Sequence, residues 1–134
     1  MFNRHWGQDR RRYQRLNLNL IVWYKVVCPD SLRSMLGEKE KEVLTIDIGP
    51  LGMAFMCRYH LPSYSTLLLK FIVFSAHAGS YSHLAIPLEL QGVVRSSLPS
   101  EDNEYRIGIC FKDIPTEKQL QLARFVEESL RPCI

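Results

Sequence analysis

The chain has 134 residues, 46% of them apolar and 23% charged, the balance of one globular domain and not of a disordered segment. No apolar run approaches the roughly eighteen residues that cross a bilayer; the nearest, residues 67–74, is interrupted by Lys70. The formal net charge is +3, but Arg4, Arg10, Arg11, Arg12 and Arg15 against Asp9 put +4 on residues 1–16 and leave −1 for the rest.

No apolar stretch follows the basic amino terminus, so no secretory signal is read and a cytoplasmic location is expected. Residues 1–9 are expected to form a flexible leader, residues 10–131 a single domain, and residues 132–134 a tail. In residues 16–27, Leu16, Leu18, Leu20, Val22, Tyr24 and Val26 share one face and Asn17, Asn19 and Lys25 the other, which predicts a long half-buried strand. Pro29 and Asp30 end it. Residues 30–42, with Gly37 and the run Glu38-Lys39-Glu40-Lys41-Glu42, read as a surface loop with room for a helical turn. Strands are expected over 43–48 and 53–58, joined as a hairpin by Gly49-Pro50-Leu51-Gly52.

Residues 66–75, rich in Leu, Phe, Ile and Val, read as a strand buried on both faces. A small-residue loop is expected over 76–83, then a long strand over 84–96 in which Pro87 marks an edge or a bulge. After a turn at 99–103, Tyr105, Ile107, Ile109 and Phe111 alternate with Arg106, Gly108, Cys110 and Lys112 in a last strand. Thr116 and Gln119 fit a capping box, and Leu122, Phe125, Val126 and Leu130 stripe a closing amphipathic helix. Six strands and one carboxy-terminal helix predict an all-β barrel or sandwich with the helix plugging or flanking it.

Catalysis is not signalled. There is no G-x-S-x-G turn, no G-x-x-x-x-G-K loop and no H-E-x-x-H. The serines between Ser63 and Ser100 have no evident base beside them, and His5, His60, His77 and His83 nominate no catalytic pair. Cys28, Cys57, Cys110 and Cys133 are 29, 53 and 23 positions apart. That spacing contains no C-x-x-C and signals no zinc site. Three of the four lie in or beside apolar strands, where a free thiol is expected to act as a small buried hydrophobe.

Two segments carry binding chemistry. The first is Arg10-Arg11-Arg12-Tyr13-Gln14-Arg15, immediately before the first strand. Its guanidinium forks bond phosphate oxygens in pairs, bond guanine O6 and N7 in pairs, and stack on purine faces. The second is the hairpin turn from Asp47 through Gly49 and Pro50 to Gly52. Its glycines let backbone N–H groups approach a ligand, and Asp47 can accept from a guanine N1–H and N2–H₂ edge. Set against this, an aspartate before a glycine turn commonly bonds only its own backbone, and an arginine cluster commonly is a solvated tail.

The order of these features resembles the PilZ domain family: an R-x-x-x-R arm leading into a strand, then a D/N-x-S-x-x-G turn followed by a small-apolar-aromatic strand. The arm is Arg11 to Arg15 and the turn is Asp47 to Gly52. The Gly92-Val93-Val94-Arg95 and Tyr105-Arg106-Ile107-Gly108-Ile109-Cys110-Phe111 segments also resemble that family's last two strands. The likeness covers residues 9–131. It implies a six-stranded antiparallel β-barrel with a carboxy-terminal helix, and binding of cyclic di-GMP as the ligand without a metal or cofactor. By position, Arg11 and Arg15 would hold phosphates and a guanine, Asp47, Gly49 and Gly52 would be the hairpin contacts, and Arg10 looks like the residue that admits a stacked pair of ligands. The chain departs from the pattern at Gly49, where the family has serine. A lost neutral hydrogen bond is worth about 0.5–1.5 kcal/mol, a roughly two- to tenfold weakening.

The reading is therefore a non-catalytic cyclic di-GMP receptor that signals by changing its contacts with a partner protein. The alternative is a PilZ-like protein-interaction module that has lost nucleotide binding. A third reading, salt-dependent nucleic-acid binding by the arm, ranks last because the chain offers no array of exposed aromatics for stacking bases.

Overall fold

The computed structural model describes residues 15–76 and 83–130. Six strands, β1 (Ile21–Cys28), β2 (Lys41–Gly49), β3 (Gly52–Cys57), β4 (Thr66–Ala76), β5 (His83–Pro99) and β6 (Tyr105–Lys112), close into a barrel in the order β1-β2-β3-β6-β5-β4. Every neighbouring pair is antiparallel. Two helices accompany it, α1 (Asp30–Leu36) and α2 (Thr116–Leu130). The expected architecture is the one found, with a barrel and not a sandwich.

Period-two alternation fills the interior. Val22, Tyr24 and Val26 of β1, Leu67, Leu69, Phe71 and Val73 of β4, and Ile107 and Ile109 of β6 are buried. Tyr24 stacks on Phe55 with ring centroids 5.3 Å apart. Leu122, Phe125 and Val126 bury one face of α2, which packs against β4 and β2. Leu130, expected on that face, is 43% exposed at the end of the helix.

Several local expectations change. Strand β1 begins at Ile21, not Leu16: residues 17–20 lie beside β2 outside any ladder, and Leu18 is exposed. Strand β4 is buried on one face only, since its outer face carries Lys70 and the exposed Ile72 and Phe74. A closed barrel leaves that face to solvent, whereas a sheet layered by helices would cover it. Residues 30–36, expected in a surface loop with room for a helical turn, form a seven-residue helix that packs on β1 through Leu32.

Pro87 behaves as an edge residue within a closed barrel. It pairs with Ile72 of β4, while pairing of β5 with β6 starts only at Gln91. The capping box at Thr116 is not formed: the Gln119 N–H that a Thr116 hydroxyl would take instead donates to the Pro115 carbonyl at 3.0 Å. The expected loop over 76–83 falls mostly on residues outside those described, as do the 1–9 leader and the 132–134 tail.

Candidate functional site

The β2–β3 hairpin is tight. Gly49 pairs with Gly52, leaving Pro50 and Leu51 as a two-residue turn, and the Leu51 carbonyl accepts from the Phe111 N–H at 2.9 Å. Gly52 is required by space. A Cβ there would stand 2.1 Å from the Ile109 carbonyl oxygen of β6, so any side chain would drive β3 away from its neighbour. Neither Gly49 nor Gly52 has a positive φ; the conformational freedom of glycine is not what this turn uses.

A bulge between Thr45 and Asp47 shifts the register of β2. Asp47 is buried, with 4% of its surface exposed. Arg15 donates from Nη2 to Asp47 Oδ1, and the Nη2 of Arg106 lies 3.6 Å from Asp47 Oδ2. A carboxylate taken out of water is tolerated only when paired in this way. The sequence-level alternative, that Asp47 merely bonds its own turn, is not what the structure contains.

The chain is held to the barrel just after Arg15. Leu16 and Ile48 exchange two backbone hydrogen bonds, at 2.8 and 3.0 Å. The Thr45 hydroxyl donates to the Leu18 carbonyl and accepts from the Leu20 N–H at 2.8 Å. Thr45 is thus a clasp between β2 and residues 18–20, and with the Leu16–Ile48 pair it fixes Arg15 beside the hairpin. Arg15 Nε is buried and has no hydrogen-bond partner among the described residues. The site brings together Arg15, Asp47, Gly49 and Gly52; Arg10 and Arg11 lie outside the described residues.

A family model, PilZ domain, matches residues 9–128. The chain belongs to the PilZ domain family. Among solved structures it is similar to the inhibitor of motility MotI/DgrA from Bacillus subtilis, with a TM-score of 0.66 and 19% identity over 90% of this chain and 50% of that one. It is also similar to the PilZ domain of YcgR from Escherichia coli, solved with c-di-GMP, at a TM-score of 0.57 and 14% identity over 89% of this chain and 90% of that one. The PilZ domain of CeSA from a cellulose-synthesizing bacterium gives 0.54 and 11% over 88% and 99%. The chain spans about half the length of the Bacillus subtilis structure, and at these identities the likeness is one of fold. No curated protein matches it by sequence.

In this PilZ domain two site residues escaped sequence reasoning. Arg106 reads there only as a polar member of an alternating strand; the register that pairs it with Met56 of β3 is what places it beside Asp47. Thr45 carries no sequence signal, since its role depends on the Leu18 and Leu20 backbone lying beside β2. One serine does have a histidine beside it: His60 Nδ1 is 2.9 Å from Ser97 Oγ, which also accepts from the Leu61 N–H at 3.2 Å. Among the described residues no carboxylate bonds the imidazole as the third member of a triad would, and the pair ties a loop to β5. Of the described cysteines only Cys57 is buried; Cys28 and Cys110 are exposed, against expectation, because they fall at a strand end and on an outer face. Among the described residues there is no group of three metal-ligating side chains and no helix long and apolar enough to cross a membrane.

Proposed function

We propose that this PilZ domain is a non-catalytic receptor for cyclic di-GMP. The observation that carries the reading is the Arg15 guanidinium on the buried Asp47 carboxylate, because it sets the end of the arginine arm against the base of the hairpin. Arg15 Nε has no acceptor among the described residues, and a phosphate oxygen would be one. As Arg15 turns to the phosphate, Asp47 Oδ1 is released to accept from the guanine N1–H and N2–H₂. Arg106 keeps Asp47 Oδ2 neutralised through the exchange. Arg11 closes on the phosphate and guanine from the other side, Arg10 admits a second stacked ligand, and the backbone at Gly49 and Gly52 borders the pocket. The YcgR domain solved with c-di-GMP shares this fold, which supports the reading.

The output is a changed surface and not a changed ligand: binding moves the arm across the barrel, and a partner protein reads the difference. Calorimetric titration with cyclic di-GMP tests it. Arg11→Ala and Arg15→Ala should each cost about 1.5–3 kcal/mol of binding, roughly ten- to hundredfold. Unchanged affinity in both variants would remove the site. Absence of binding by the folded wild type would favour the interaction-module reading, for which Gly49, lacking the family's serine hydroxyl, is the supporting residue.

A further inference from the structure

The β2–β3 ladder ends early. Its final pair is Thr45–Phe55, yet residues 41–44 of β2 go on pairing with β1, and Met56 and Cys57 go on pairing with β6. The two strands therefore part, and a cleft of about 580 Å³ opens between residues 41–46 and 56–59, with Tyr24 reaching it from inside the barrel. The Thr45 N–H donates to the Leu20 carbonyl at 2.9 Å. By antiparallel alternation Thr45, Val43 and Lys41 turn their backbone groups toward β1, and Leu44 and Glu42 turn theirs into the cleft. A length of strand edge thus stands open in a barrel that otherwise has few.

Three further features converge there. The Tyr24 hydroxyl is buried and has no hydrogen-bond partner among the described residues. Lys41 Nζ lies 5.2 Å from the centroid of the Tyr59 ring, a contact that spans the mouth of the cleft and is weak enough to open. Outside the mouth, the cross-strand neighbours Leu44 and Ile21 are 52% and 44% exposed, an apolar lip with nothing over it.

We propose that this gap is a docking site for an extended segment of a partner protein, which adds as a strand to the free edge of β2. Its backbone pairs with Glu42 and Leu44. Alternate side chains enter over Val43 and Tyr24, and those between them lie outside over Leu44 and Met56. A strand meets the paired backbone groups and the two apolar faces at once, because its own side chains alternate with the same period. A compact small molecule cannot reach both. None of Arg15, Asp47, Gly49 and Gly52 lines the cleft, so the proposal stands apart from the cyclic di-GMP reading.

Selection of phage-displayed random linear octapeptides on the full chain tests it. The enriched peptides are then titrated into wild type and Glu42→Pro, which removes the N–H facing the gap without touching the β1 ladder. Expected are peptides with apolar residues at alternate positions, slowed amide exchange at Glu42 and Leu44, and about tenfold or weaker binding to the variant. No enriched peptide, or binding without slowed exchange at those two amides, would overturn the proposal. So would a concentration-dependent dimer of the chain alone that Glu42→Pro dissolves, which would assign the edge to a second copy. If Glu42→Pro fails to fold, the exchange pattern in wild type decides.

Discussion

Asp47 has two cationic neighbours of unequal geometry: Arg15 hydrogen-bonds one carboxylate oxygen, while Arg106 approaches the other only to 3.6 Å. Removing Arg15 leaves a buried charge with the poorer partner. Arg15→Ala should therefore lower stability by about 1–3 kcal/mol in urea unfolding. The same change made in Asp47→Asn should cost less than half as much, since the pair is already broken; equal costs in both backgrounds would contradict the pairing. Tyr24 is the opposite case. Its hydroxyl is buried beside the Cys57 thiol and has no hydrogen-bond partner by geometry among the described residues, so Tyr24→Phe should leave the unfolding midpoint unchanged or raise it, and a loss above about 1 kcal/mol would mean the hydroxyl is bonded to the thiol. The pairing candidates Arg15 and Asp47 were legible in the sequence as residue types, because arginine and aspartate stand out by their chemistry. Arg106 was not, because its part depends on which residue of β3 it faces.

The hairpin and the strands around it depend on close approach. Gly52→Ala would place a Cβ 2.1 Å from a backbone oxygen of β6, and backbone cannot swing aside as a side chain can. It should reduce the melting temperature by more than any single surface change, or prevent folding. Gly92→Ala, whose Cβ would meet the Ile109 Cγ2 at 2.5 Å and the Leu69 Cδ1 at 3.0 Å, should be milder because side chains can shift. Alternation, apolar runs and turn residues located all six strands, since each of these signals is local. They missed the one-sided burial of β4, the early end of the β2–β3 ladder and the bulge at Asp47, each of which is set by the neighbouring strand.

Barrel closure also makes the interior sensitive to alkali. Burial pushes the Cys57 thiol up, and burial followed by the neighbouring Cys57 pushes the Tyr24 phenol up. The folded protein keeps both protons while the unfolded chain releases them, the thiol from about pH 8.5 and the phenol from about pH 10. The contribution of these two groups to stability should be level below about pH 8.5 and fall as pH rises through and beyond that value. Urea midpoints from pH 7 to pH 10.5 check the slope; Cys57→Ser should remove its first part and Tyr24→Phe its second. For the molecule as a whole, the fold was readable because every strand and the helix carry their own pattern and the arm-and-turn order selects among barrels. In the function proposed above, the arm and the hairpin act as one site for cyclic di-GMP. Calorimetric titration of the wild type and Arg15→Ala with that ligand tests it most directly. Saturable binding at micromolar or tighter affinity, weakened at least roughly tenfold in the variant, is the predicted result. No binding by the folded wild type, or equal binding by both proteins, would contradict it.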